Sequence, residues 1–439
     1  YTGTMTNSGT ITGVGLISFN GGITSSGTVN LGTGGATVSG AAANFTGGTV
    51  DFAGSGSATL TVNGVSISFS GATIQNATSI DTIVISGGGA QTLDSGGQVL
   101  PSVQVNKSGG TVQLVNNSVT QAASSTLSFT CTGSTSLDLA TNSLSWTLQS
   151  GVTVNNFVTM NIGSGTLDGG QALTVSGTGV LTHTTGTLDV SSLSYTSSDV
   201  STLGSGVVTV TGSLTMNGTG SLTQTGDNGA NAQSVGSISV SNGTLSWDSG
   251  SAGGTLVVGG TIGVSGGTLS LGNKTVTGVT SIAETGGTVD FKGSNVTTGG
   301  LSVTAGAVNF GSSVITDSGD AVVSTGGVVT AGTGLIHMTG AGTNLNVDAT
   351  GPICDVSVEN SVTVTGAGSA TDVGALTVTA AGSLAVGGNN FQAVSANISG
   401  PVTVGTGGAF STSGLMTVNG GGSITATGSG ALTAGNGLV

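Results

Sequence analysis

The sequence predicts an all-β chain wound as a single-stranded, right-handed parallel β-helix. Three observations carry that expectation: a five-residue cassette that recurs along the chain, a spacing near 20 residues between copies, and glycine at 85 of 439 positions. Repeats near this length belong to solenoids, in which a unit cannot bury its own apolar face and stacks on its neighbours.

The cassette reads glycine, small residue, Val or Leu, polar residue, large apolar residue. It occurs as Gly27-Thr28-Val29-Asn30-Leu31, Gly48-Thr49-Val50-Asp51-Phe52, Gly110-Thr111-Val112-Gln113-Leu114 and Gly186-Thr187-Leu188-Asp189-Val190. It returns as Gly243-Thr244-Leu245-Ser246-Trp247, Gly267-Thr268-Leu269-Ser270-Leu271, Gly287-Thr288-Val289-Asp290-Phe291 and Gly306-Ala307-Val308-Asn309-Phe310. Successive copies lie 21 (Thr28 to Thr49), 21 (Thr166 to Thr187), 24 (Thr244 to Thr268), 20 (Thr268 to Thr288) and 19 (Thr288 to Ala307) residues apart. Apolar and polar residues alternate inside each copy, the period-two signature of a strand with one buried face. The two apolar positions of each copy, from Val29 and Leu31 through Val308 and Phe310, are therefore the expected core. Gly-Gly, Asn-Gly, Ser-Gly and Thr-Gly pairs follow the copies and supply turns.

Rival architectures fit less well. So much glycine opposes helices at about 1 kcal/mol per residue against alanine. Immunoglobulin-like sandwiches repeat at about 100 residues, and no such period is present. Disorder goes with low hydrophobicity and high charge, whereas 36% of this chain is hydrophobic, with a mean hydropathy of +0.37. A parallel crossover of this kind is right-handed in nearly every case. About 22 rungs of about 20 residues, at roughly 4.8 Å each, predict a rod about 105 Å long. One continuous solenoid domain over residues 1–439 is expected, as part of a longer or processed chain, with a slimmer Ala/Gly-rich section from about Ser318. Neither end carries an amphipathic cap, so either more protein lies beyond or the ends stack on neighbouring subunits.

The charge balance bears on partners. Lys107, Lys274 and Lys292 are the only cationic side chains besides two histidines, against 17 acidic residues, for a net charge of −14. Nucleic acid and anionic membranes are recognised by clustered Lys and Arg, and no such cluster is present. No apolar run of 18 residues occurs, so no membrane insertion is expected. Serine and threonine dominate the polar positions, which leaves an uncharged surface suited to packing against copies of itself. Cys131 and Cys354, 223 residues apart, are about 11 rungs apart, beyond the roughly 7 Å a disulfide tolerates. Buried free thiols are expected, and so low a cysteine content fits a bacterial exported protein better than a disulfide-stapled domain.

Candidate chemistry is sparse. Asp317 and Asp320 are the nearest pair of carboxylates for acid/base work on a sugar, against a turn built by Asp and Gly, which is the expected reading. His183 and His337 alternate with apolar residues on strands and have no His or Cys neighbours, so no metal site is expected. Asp227-Asn228-Gly229 resembles a fragment of a calcium loop without its further acidic ligands. Thr-x-Thr pairs such as Thr59/Thr61, Thr209/Thr211, Thr275/Thr277, Thr363/Thr365 and Thr377/Thr379 do not recur at one rung spacing, which argues against an ice-binding face. Asn-x-Ser/Thr acceptors begin at Asn44, Asn76, Asn106, Asn116, Asn217, Asn242, Asn273, Asn295 and Asn397. No catalytic residue, cofactor or metal ligand is expected.

Strings such as Ser265-Gly266-Gly267-Thr268-Leu269-Ser270-Leu271 and Gly286 to Phe291 resemble the repeats of bacterial exported β-helical proteins, the autotransporter passenger domains and filamentous-haemagglutinin-like adhesins. The resemblance implies secretion and an extracellular or cell-surface role. It departs from those families in its near absence of charge. The resulting expectation is a non-enzymatic structural protein, a rod-like subunit that self-assembles into an extracellular filament, sheath or surface layer. The alternative is an adhesin stalk, with a carbohydrate-active β-helix enzyme a distant third. The expected partners are copies of the chain itself, with surface glycans as a further class.

Overall fold

A computed structural model describes residues 3–52, 56–226, 233–247, 254–324, 326–347, 353–366 and 371–439. Asp227-Asn228-Gly229 lies outside the described residues. Those described form parallel strands joined by turns, with no helix among them. They make a parallel β-solenoid of about 19 turns with a spacing of about 21 residues. The expected 22 turns are corrected to that number because the corners vary in length. One turn takes 18 residues where Met5 lies beside Ile23, and 26 where Ile67 lies beside Leu93.

The chain divides into two compact units, Tyr1–Ser213 with Gly218–Gly226, and Leu214–Asn217 with Asp227–Val439. In the first unit a strand pairs with the third strand after it. Met5–Asn7 pairs with Ile23–Ser25, Thr10–Thr12 with Thr28–Asn30, and Ile17–Phe19 with Ala36–Val38. Three short strands thus complete one turn, and each face grows by one strand per turn. The second unit uses longer strands toward its end. Asn390–Ile398 pairs with both Ala409–Thr412 and Met416–Val418, so one strand spans two faces of the turn.

The cassettes stack in register. Thr28 lies beside Thr49, Thr166 beside Thr187, Thr244 beside Thr268, Thr268 beside Thr288, and Thr288 beside Ala307. Their inner positions form continuous rows. Leu245, Leu269, Val289 and Val308 follow one another across four strands, and each is at most 1% exposed. Trp247, Leu271, Phe291 and Phe310 are buried beside them, and the Phe291 and Phe310 rings stack at 5.8 Å and 11°. Val29, Leu31, Val50, Phe52, Val112, Leu114, Leu188 and Val190 are buried in the first unit. Burial of each such side chain contributes about 1.5–3 kcal/mol. The core is a column of stacked like residues, which suits a repeat whose apolar positions stay large while its polar positions vary.

The opening glycine of the cassette has a separate cause. At the corners before cassette strands such as those opened by Gly27, Gly48, Gly110, Gly186, Gly267 and Gly287, a glycine sits directly over a glycine of the turn below. A Cβ on Gly186 would lie 1.8 Å from the Gly165 carbonyl oxygen, and one on Gly27 would lie 2.0 Å from that of Gly9. The obstacle is backbone held in a ladder, so it cannot swing aside as a side chain does. Gly186→Ala is expected to lower stability by about 1–3 kcal/mol, the usual cost of overpacking a site that cannot relax. A shift of the urea midpoint to lower concentration checks it. An unchanged midpoint means that the corner yields.

Candidate functional site

A groove of about 550 Å³ lies in the second unit. Its floor is Ala283, Ser302 and Val322, outward neighbours on the adjacent strands Ser281–Glu284, Leu301–Val303 and Ala321–Val323. Gly299, Gly300 and Gly319 form a wall without side chains, and Asp320 joins the lining there. Asp320 Oδ1 accepts from the Asn344 backbone N–H at 2.7 Å and from Asn344 Nδ2 at 3.2 Å.

The sequence paired Asp320 with Asp317, and the structure separates their roles. Asp317 ends the strand Val314–Asp317 on its inner face and is fully buried. Its Oδ1 accepts from the Gly319 N–H at 2.9 Å, and its Oδ2 has no hydrogen-bond partner. Burial pushes the carboxyl up to about 6, the nearby Asp320 charge pushes the same way, and the Gly319 N–H opposes them. The groove is lined by one carboxylate, while the other fastens a glycine corner from inside. Two-carboxylate chemistry on a sugar needs both groups to flank one bond, and this geometry does not place them so.

Corner fastening of this kind recurs. Glu284, also fully buried, accepts from Gly286 and Gly287 N–H through Oε1 at 2.8 and 2.7 Å, and from Gly306 N–H through Oε2 at 2.8 Å. His183 Nε2 lies 3.0 Å from the Gly186 carbonyl oxygen, and its Nδ1 accepts from Gly204 N–H at 3.4 Å. That pattern fixes a neutral imidazole with its proton on Nε2, and burial lowers its pKa. Thr298 and Thr412 donate to the Gly300 and Gly414 carbonyls. Each of these side chains occupies the last inward position of a strand that ends at a glycine corner.

Lys107 and the His337–Glu359 pair are local fittings too. Lys107 is buried, its ammonium donating to the Gly89 carbonyl at 2.7 Å and to Gln91 Oε1, and burial lowers its pKa. Lys274 is buried as well, so two of the three lysines do not stand on the surface. His337 faces outward and contacts Glu359 through Nδ1, and Ser357 Oγ donates to the same Glu359 oxygen at 3.2 Å. The serine thus hydrogen bonds the acid and not the imidazole, which is not the order of a nucleophile and its base. Among the described residues, no group of three or more His, Cys, Asp or Glu converges as metal ligands, and no helix is long and apolar enough to cross a membrane.

Both cysteines are free thiols. Cys354 is buried and its thiol is pushed up to about 12, by burial first and then by Asp355. Cys131 is half-buried, at variance with the expectation of two buried thiols, because it lies outside the ladder, past the end of the strand Leu127–Phe129. Native protein should therefore take up one thiol reagent quickly, at Cys131, and a second only on unfolding. Mass spectrometry of alkylated peptides reads this directly, and rapid native labelling of Cys354 contradicts it.

One column of threonines stacks across four rungs of the first unit. Thr10, Thr28, Thr49 and Thr73 lie side by side on one sheet, with Thr12, Asn30, Asp51 and Gln75 beside one another two positions on. Only Thr10 and Thr12 form a Thr-x-Thr pair in this rank; the rungs stacked on it carry Asn, Asp and Gln at the second position. Of the nine Asn-x-Ser/Thr asparagines, Asn44 is half-buried and the other eight are exposed.

No family model matches this chain, and comparison with characterised proteins and with solved structures finds no match.

Proposed function

We propose that this chain is a non-enzymatic structural subunit that assembles with copies of itself into an extracellular filament, sheath or surface layer. The observation that carries this reading is the outward surface of the ladders. Rows such as Thr92, Gln113, Asp138, Asn161, Thr182, Thr202 and Thr223 run across consecutive strands at the strand spacing of the sheet. A regular, almost uncharged lattice of hydroxyl and amide groups suits lateral packing against an identical lattice, because little charge has to be desolvated or kept apart.

Each unit is read as a single-stranded right-handed helix, the hand that parallel crossovers favour. The polar side chains fastened to corner glycines support a structural reading, since they are committed to the backbone. Resemblance of the cassettes to exported β-helical proteins supports a location outside the cell. It also supports the second reading, an adhesin stalk that spaces a binding tip and presents surface glycans.

Electron microscopy and light scattering of the purified chain over a concentration series separate the two. Ordered polymers of regular width are the expected result. A chain that stays monomeric at high concentration overturns assembly and leaves the stalk.

A further inference from the structure

Seven Asn-Gly pairs occur, at Asn20, Asn63, Asn217, Asn228, Asn242, Asn419 and Asn436. All but Asn228 are among the described residues. In such a pair the glycine backbone nitrogen attacks the asparagine Cγ and loses its proton to water. Ammonia leaves, and a five-membered succinimide closes. Water then opens the ring to aspartate or isoaspartate, so water is the only other reactant. Glycine favours the step because no Cβ hinders the approach and its backbone is free to turn. The step also requires a carboxamide that is not anchored elsewhere.

The hydrogen bonds sort four of these pairs by that requirement. Asn63 Oδ1 accepts from Ser86 Oγ on the next turn. Asn217 Oδ1 accepts from Ser241 Oγ at 2.9 Å. Asn419 Nδ2 donates to Asn397 Oδ1 and, at 3.1 Å, to Ser399 Oγ. These three carboxamides are held across turns, away from their own glycine. Asn242 is exposed, in the corner between Gln233–Val240 and Thr244–Ser246. Its Oδ1 lies 2.8 Å from the Gly243 nitrogen, and Cγ is one bond beyond that oxygen. Gly243 has φ +65, a left-handed conformation that glycine adopts freely.

We propose that Asn242 is a site of spontaneous, backbone-assisted deamidation in the folded protein. The consequence is local and structural. Isoaspartate adds a methylene to the main chain at a corner with no room for it. Even a Cβ on Gly267, one turn on, would lie 2.5 Å from the Gly243 carbonyl oxygen and 2.6 Å from the Asn242 carbonyl carbon. The product therefore disturbs the register of Thr244 with Thr268.

The test incubates the full folded chain at mildly alkaline pH and follows each Asn-Gly peptide by mass spectrometry, with isoaspartate methyltransferase as an independent label. Asn242 should convert about tenfold faster than Asn63, Asn217 and Asn419, roughly the factor one anchoring hydrogen bond supplies. In urea the rates should converge, since sequence alone then governs them. Ser86→Ala should raise the rate at Asn63, and Asn242→Gln should abolish the main product. Equal rates in the folded chain, or a rate at Asn63 that does not respond to Ser86→Ala, overturns the proposal. Because Asn242-Gly243-Thr244 is also a glycan acceptor, a glycan mass at Asn242 in native material overturns it too.

Discussion

Glu284→Ala is expected to cost the second unit about 3–5 kcal/mol, the largest effect of any single substitution considered. The reason is the number of donors it strands. Gly286, Gly287 and Gly306 all point their N–H groups at this carboxylate, which lies at the inner face of a corner and is fully buried. A buried donor left without a partner costs about 1–3 kcal/mol, and a truncated side chain adds a void. Glu284→Gln retains one oxygen but turns an amide N–H₂ toward at least one of the three donors, so an intermediate loss is expected. Urea midpoints should fall in the order wild type, Gln, Ala. Amide exchange supplies a second readout, with Gly286, Gly287 and Gly306 accelerating before their neighbours. If the Ala variant kept the wild-type midpoint, the carboxylate would not be what holds that corner.

That prediction was not available from the sequence, and the reason is physical. Alternation assigns polar residues to the outside, and along the middle of each strand it does so correctly: Thr49 and Asp51 face outward around Val50. At a corner the rule fails. A glycine turn leaves backbone N–H and C=O groups outside the ladder, and those that face inward must be paired from inside. Ile315 and Asp317 share one parity, as do Ile282 and Glu284, and Leu181 and His183, so each polar member occupies an inward position. A polar residue at inward parity, two or three places before a glycine, is a signal that was present in the sequence and could have been read. The rung register was more legible because like residues stack on like. The number of turns was less so, since corner length is set by turn geometry that the period averages away. The groove over Ala283, Ser302 and Val322 had no sequence signature at all, being defined by small side chains that leave space.

Asp317→Asn is expected to stabilise the protein at neutral and alkaline pH and to do nothing at acid pH. Asp317 resembles Glu284 in position and differs in supply: one oxygen accepts from Gly319, while the other is buried without a partner. Ionising it there is unfavourable, and its pKa stands at about 6 against 3.8 for an ordinary aspartate. A pKa raised in the folded state means that the folded chain binds its proton more tightly than the unfolded chain. The stabilising contribution of that protonated carboxyl is therefore complete below pH 3.8 and is lost as pH rises through about 6. A shift of about two units corresponds to roughly 3 kcal/mol between those limits. Asparagine has nearly the same shape and never ionises, so it keeps the acid-pH stability at every pH. Urea midpoints of the two proteins should coincide near pH 4 and separate near pH 8, with the variant higher. Equal midpoints at both pH values would mean that the carboxylate finds solvent or a donor on ionising. A lower midpoint for the variant at pH 8 would mean that the charge itself is used by the corner, as it is at Glu284. The contrast between these two buried acids then rests on one count, the number of backbone N–H groups each corner turns inward.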